Sequence, residues 1–209
     1  MSIEFPKGNW SLLKSPRVSP LPDGQQRLIQ KILLAITRRS AKSKTNLNVF
    51  TVFARLGAIF PRYLLFLSHI LMKGGISRED KEKIILRLAW QVGCVYEWAH
   101  HVHMARELGI SDASINSLAQ VSSPLWDEKT TAFVTGVDEL VAHKRITDST
   151  WAALSRHYSQ DQLVEYCMLV GHYIMVAVTI NSVGIQVESQ YLEGATLPGQ
   201  QESLQRTTS

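Results

Sequence analysis

The chain has 209 residues, 45% of them hydrophobic and 19% charged. That is enough apolar material for one packed domain and too little charge for a disordered chain. Two cysteines exclude a disulfide framework and a four-cysteine zinc module. The net charge of +4 is concentrated at the N-terminus. Lys7, Lys14, Arg17, Arg27, Lys31, Arg38, Arg39, Lys42 and Lys44 face only Glu4 and Asp23 there, so the rest of the chain is slightly acidic. No nucleic-acid-reading motif accompanies these residues, and no nucleic-acid partner is expected.

Residues 1–24 contain Pro6, Pro16, Pro20 and Pro22 and read as an extended lead-in that wraps the body or stays loose. Residues 27–39 carry Leu28, Ile32, Leu33 and Ile36 at helical spacing and predict an amphipathic helix. A second helix is expected from Leu47 to Phe60, stopped at Pro61. A third follows from Arg62 to Met72, closed by Gly74-Gly75. Ser77 caps the next, with Glu79 and Asp80 in its first turn, and it runs to Gln91. Gly93 marks a joint. Cys94 to Leu108 predicts another helix, ended by Gly109. Helices are then expected over 112–120, 128–143, 149–157 and 160–183, and 194–209 reads as a disordered polar tail.

No segment alternates like a strand, so the expectation is an all-α fold with one domain over residues 25–193. The N-terminus shows no apolar run behind a basic start, and the apolar run Cys167 to Ile180 falls short of a bilayer. A core helix, no membrane partner and a cytoplasmic location are the expectations.

The chemistry-bearing stretch is residues 82–111. Cys94, Glu97 and His101 stand at i, i+3 and i+7, on one helical face, and Glu82 on the preceding helix can fold back toward it. A thiol, two carboxylates and an imidazole among apolar neighbours suit proton transfer. Burial raises a carboxyl pKa and a nearby imidazolium lowers it, which poises such a pair near neutral pH. The bland alternative is an ordinary i,i+4 surface pair. Tyr96, His100, His103 and Glu107 fall on another face and read as solvated or interfacial.

Glu82, then Cys94-x-x-Glu97-Trp98-x-x-His101, Ala105 and Gly109-Ile110-Ser111, resembles the carboxymuconolactone decarboxylase family and its AhpD-like alkylhydroperoxidase relatives. The segment VYEWAHHV looks like a signature of the decarboxylase-like members. Similarity extends over roughly residues 45–190. The resemblance implies an all-α AhpD-like bundle, a homo-oligomer (dimer, trimer or hexamer), and cofactor-free acid–base chemistry on a small organic acid or lactone. Carried over position by position, the family's glutamate falls on Glu82, its first cysteine on Cys94 and its histidine on His101. Its second cysteine falls on Glu97. A dithiol cycle needs both sulfurs, so the resemblance implies acid–base work by Glu82, Glu97 and His101 rather than peroxidase turnover.

Cys94, Trp90, Trp98 and Arg87 are candidates for the substrate pocket, with core anchoring as the plain alternative for the tryptophans. His172, on an apolar helix, reads first as a satisfied core histidine, though Gly171-His172-Tyr173 is placed to lie under a pocket floor. Glu97-x-x-His100 has no second Glu-x-x-His partner, so neither a metal nor another cofactor is expected. Two other classes stay open: a thiol peroxidase or redox protein using Cys94, and a non-catalytic assembly protein.

Overall fold

The computed structural model describes residues 4–193. Those residues form helices α1 (Leu28–Ser40), α2 (Asn48–Phe53), α3 (Ile59–Met72), α4 (Arg78–Gln91), α5 (Val95–Glu107), α6 (Asp112–Ser117), α7 (Glu128–His143), α8 (Asp148–Leu154) and α9 (Gln160–Val183). Short 3₁₀ turns lie at 23–25, 54–56 and 189–191, and no strand occurs among the described residues. The fold is all-α, as the sequence predicts. The expected disorder of 194–209 lies outside the described residues.

Helix α4 is the centre. It packs against α5, α7 and α9, and α8 packs on α7. The Ser77 hydroxyl accepts from the Asp80 amide to start α4, with Glu79 and Asp80 favouring its positive end. From Asp80 to Ala89 almost every residue is buried, including four charged ones. Burying charge is costly unless each one is paired. Here each is: Asp80 with Lys129, Lys81 with Glu165, Glu82 with His101, and Arg87 with Asp138.

One boundary differs from the sequence expectation. The predicted second helix breaks after Phe53 into a 3₁₀ turn, and Gly57 reverses the chain at a φ of +60°. Helix α3 then starts at Ile59 and takes Pro61 into its first turn. Proline is tolerated there because the amide it lacks has no intrahelical partner.

The joint between α4 and α5 requires glycine. Gly93 has φ +65°, and a Cβ on it would meet the Asn9 carbonyl oxygen at 1.9 Å. That contact belongs to the N-terminal segment, which lies extended across the joint. The Ser11 amide donates to the Gly93 carbonyl at 2.7 Å, and Ser11 bridges Cys94. The indole N–H groups of Trp98 and Trp90 donate to the Glu4 and Lys7 carbonyls at 2.8 and 3.0 Å. Phe5, Trp10 and Trp98 meet edge to face.

Helix α9 has 24 residues and an apolar composition. By length and composition it is long enough to cross a membrane, whereas the shorter run picked out in the sequence is not. Half of that stretch is buried inside the fold, as for a core helix.

Candidate active site

Helices α4 and α5 form an antiparallel hairpin that brings Glu82 to His101. A Glu82 carboxylate oxygen lies 2.6 Å from His101 Nδ1, and both side chains are buried. With Nδ1 held, Nε2 is the ring nitrogen left for a reacting group.

One turn before His101 on α5 sits Glu97, also buried, with neither carboxylate oxygen in a hydrogen bond. Burial pushes its pKa well above the usual carboxylate range. The Cys94 thiol nearby eases that shift without cancelling it. Glu97 is therefore held protonated where an exposed glutamate has lost its proton. Cys94 is the N-cap residue of α5 and fully buried; desolvation first, then the charge of Glu97, raises its thiol pKa well above normal.

Three residues from α3 and α9 complete the cluster. Tyr173 meets the His101 ring edge to face at 5.2 Å. Burial raises its phenol pKa, and so do the nearby carboxyls of Glu82 and Glu97. Tyr63 is partly buried; desolvation, and then the charge of Glu97, raises its phenol pKa and keeps it protonated. His172 stacks on Tyr63 at 5.6 Å and touches Phe66 and Tyr173. Both its ring nitrogens are buried without a hydrogen-bond partner, and desolvation lowers its pKa to about 4. His172 is thus not the satisfied core histidine of the sequence reading. It is buried because α9 turns this stripe inward, where the ring meets the Tyr63, Phe66 and Tyr173 rings.

The remaining candidates lie elsewhere. Arg87 follows Glu82 by five positions, roughly 140° around α4. It makes a two-pronged pair with Asp138 at 2.7 and 2.5 Å and donates to the Leu118 and Gln120 carbonyls. Its guanidinium lies 4.7 Å from the centre of the Trp90 ring and 5.7 Å from that of Trp126. Trp90 and Trp98 serve the N-terminal segment through their indole N–H groups. Tyr96 and His100, expected on a solvated face, are buried, because residues 185–192 fold back over them. His100 Nε2 lies 2.7 Å from Glu188, and Tyr96 and Tyr191 cover the two faces of its ring. Tyr63 carried no sequence signal. A lone tyrosine on an amphipathic helix looks like any core aromatic, and only the packing of α3 on α9 brings it to Glu97. Among the described residues no group of three His, Cys, Asp or Glu side chains is arranged to hold a metal ion.

The sequence model of the carboxymuconolactone decarboxylase family matches residues 58–135, which span α3 to α7 and include Tyr63, Glu82, Cys94, Glu97 and His101. A comparison with curated proteins gives no match. Among solved structures, an uncharacterized peroxidase-related protein from Silicibacter sp. TM1040 superposes with a TM-score of 0.69 at 16% identity, covering 90% of this chain and 96% of that one. A putative antioxidant defence protein AhpD from Agrobacterium tumefaciens gives 0.60 at 21% identity, covering 65% and 95%. The debrominase Bmp8, in a variant solved with 2,3,4-tribromopyrrole, gives 0.71 at 14% identity, covering 87% and 98%. At these identities the likeness is one of fold. Over α3 to α7 the chain is thus similar to the carboxymuconolactone decarboxylase family, and its helical fold is that of the AhpD-related structures.

Proposed function

We propose that the protein is a cofactor-independent acid–base enzyme of the decarboxylase-like kind, acting on a small organic acid or lactone by decarboxylation, isomerisation or elimination. The observation that carries this reading is the buried Glu82–His101 pair beside Glu97, whose carboxyl has no partner. Glu82 orients the imidazole, so that His101 Nε2 takes or gives a proton at the substrate. Glu97, kept protonated by burial, is a second donor. The phenols of Tyr63 and Tyr173 are held protonated, and in this reading they donate to an oxyanion. In a decarboxylation the bond to the leaving carboxylate breaks, carbon dioxide departs, and the electron pair stays on an enolate. The phenols stabilise its oxygen, and His101 or Glu97 delivers the proton to carbon.

Two observations bear on the substrate. Arg87 and Lys81, the buried cations of α4, are both committed to carboxylates away from His101. The aromatic wall of Tyr63, Phe66, His172 and Tyr173 is uncharged when His172 is neutral. A site with two carboxyls and, among the described residues, no free cation favours a substrate of low charge, such as a lactone with a single carboxylate, over a multiply charged acid. The same features weigh against thiol peroxidase chemistry. The nucleophile there is a thiolate, and the surroundings of Cys94 hold it as a thiol. A homo-oligomer is the assembly we propose for it.

The test is turnover on a panel of small enol-lactones and β-keto acids, followed by carbon dioxide release or ultraviolet absorbance. Glu97→Gln and His101→Ala are each expected to remove most of it, while Cys94→Ser retains it. Full turnover in both of the first two variants overturns the assignment. Hydroperoxide consumption that disappears in Cys94→Ser replaces it with a peroxidase.

A further inference from the structure

Helix α9 has a second face that the fold does not use. Val164, Met168, Met175 and Val178 point to solvent at 64, 51, 51 and 51% exposure. With exposed Gly171 and Ser182, and Asp161 at the start, they repeat at intervals of three and four, the seam of a coiled coil. No charged residue occurs on α9 beyond Glu165. A helix apolar all round is one whose outer face meets something other than water.

Gly171 lies in the middle of this seam. A Cβ there would meet nothing within 4 Å, so no contact inside the chain calls for glycine. Glycine in a helix interior is unfavourable, and its use is a close approach of another backbone. The seam is also nearly symmetric about this position. Methionines stand three before and four after it, and valines stand seven to either side. The ends carry opposite charge. Asp161 is exposed at the first turn, while the Arg17 guanidinium sits on the Ser182 carbonyl at the last.

We infer that α9 pairs antiparallel with α9 of a second copy, crossing at Gly171 on a two-fold axis. In that arrangement Met168 faces the partner's Met175, and Val164 the partner's Val178. Asp161 then meets the partner's Arg17, twice by symmetry. A self-complementary, uncharged seam with opposite charges at its two ends fits an isologous homodimer rather than an unrelated partner. The inference deepens the homo-oligomer reading by naming the face. It also ties assembly to the site, because His172 and Tyr173 follow Gly171 on the same turn and face inward to Tyr63 and His101.

The test is sedimentation velocity of the full chain across a range of micromolar concentrations, with circular dichroism as the fold control. The wild type is expected to be a dimer, or a larger assembly containing it. Gly171→Leu and Met175→Glu are each expected to weaken that contact at least tenfold while the helical signal stays unchanged. Arg17→Glu is expected to weaken it less, and Arg17→Glu combined with Asp161→Arg to restore it. An oligomer indifferent to Gly171→Leu and Met175→Glu overturns the seam but leaves the homo-oligomer standing. A wild-type monomer overturns both. A monomer that binds uncharged phosphatidylcholine vesicles through the same residues assigns the face to a lipid surface instead. Because the readout is mass, its failure is independent of any failure of the proposed activity.

Discussion

Two neighbouring histidines on α5 each pair with a buried glutamate, yet they belong to different kinds of structure. His100 Nε2 binds Glu188, and its ring is sandwiched between Tyr96 at 4.3 Å and Tyr191 at 4.0 Å. Glu188 also accepts from the Tyr96 hydroxyl at 2.8 Å and the Asn48 amide at 2.5 Å. This cluster closes on itself and holds residues 185–192 against α2 and α5. His101 binds Glu82 on one side only, and the polar groups around it are not all satisfied. Glu97 has no hydrogen bond, His172 has none, and Tyr63 and Tyr173 stand next to them. Burial alone therefore does not distinguish a site from a clasp. Unsatisfied polar groups are expensive, and a place where several gather is a candidate site.

The comparison predicts different activities for variants one residue apart. His101→Ala is expected to lower turnover by about 10² to 10⁴-fold, the usual range for losing a general acid or base. Its melting temperature should fall as well, because Glu82 is left buried without its partner. His100→Ala is expected to lower the melting temperature while turnover per folded molecule stays unchanged. Equal activity losses in the two variants, measured on folded protein, collapse the distinction.

Removing the carboxylate of the clasp comes next in size. Glu188→Ala leaves a buried imidazole, a hydroxyl and an amide without their acceptor, and breaking such a pair costs about 3–5 kcal/mol. Urea denaturation at neutral pH measures it. Glu188 has its pKa lowered in the fold; burial opposes that shift, but the bonds from His100 and Asn48 outweigh it. Its contribution is present above the unfolded carboxyl pKa and is lost as pH falls through the folded one.

Acid also separates the site from the clasp through His172. Its pKa is about 4 in the fold against 6.5 for an unperturbed histidine. Above pH 6.5 the ring is neutral in both states and has no effect on stability. As pH falls from 6.5 toward 4 the unfolded chain takes up a proton that the folded chain does not, so stability drops. The loss reaches at most about 3 kcal/mol and levels off below pH 4. His172→Phe is expected to remove that share of the acid slope. His100, whose pKa burial also lowers, keeps its own share. A slope unchanged in His172→Phe shows that the ring reaches water.

Much of this was legible in the sequence. The caps at Ser77, Asp127, Thr147 and Ser159 start α4, α7, α8 and α9 where they were expected, because each supplies a side-chain acceptor to a helix amide. Cys94, Glu97 and His101 share a helical face by spacing alone, and the hairpin at Gly93 was visible as a joint. The choice between Glu82 and Glu97 as partner of His101 was not, since it depends on how α4 folds against α5. Nor was the identity of the second Glu–His pair: Glu188 is 88 residues from His100, and no local pattern links them. Tyr63 and His172 become site residues only through the packing of α3 on α9.

The smallest effect sharpens the comparison from the exposed side. Lys42, just beyond α1, lies 3.0 Å from Glu107 at the end of α5, with the two side chains 74 and 44% exposed. By distance this pair resembles the buried ones, but water already solvates both charges, and holding two long side chains together offsets most of the attraction. Glu107→Gln is therefore expected to change unfolding free energy by no more than about 0.5 kcal/mol, and by less in high salt. A urea titration of wild type and variant at low and high ionic strength measures it. A loss above about 1 kcal/mol that survives salt would mean the pair locks α1 onto α5. Closing the clasp around His100 would then draw on α1 as well as on residues 185–192, since Lys42 and the Ser43 that Gln190 bonds are adjacent.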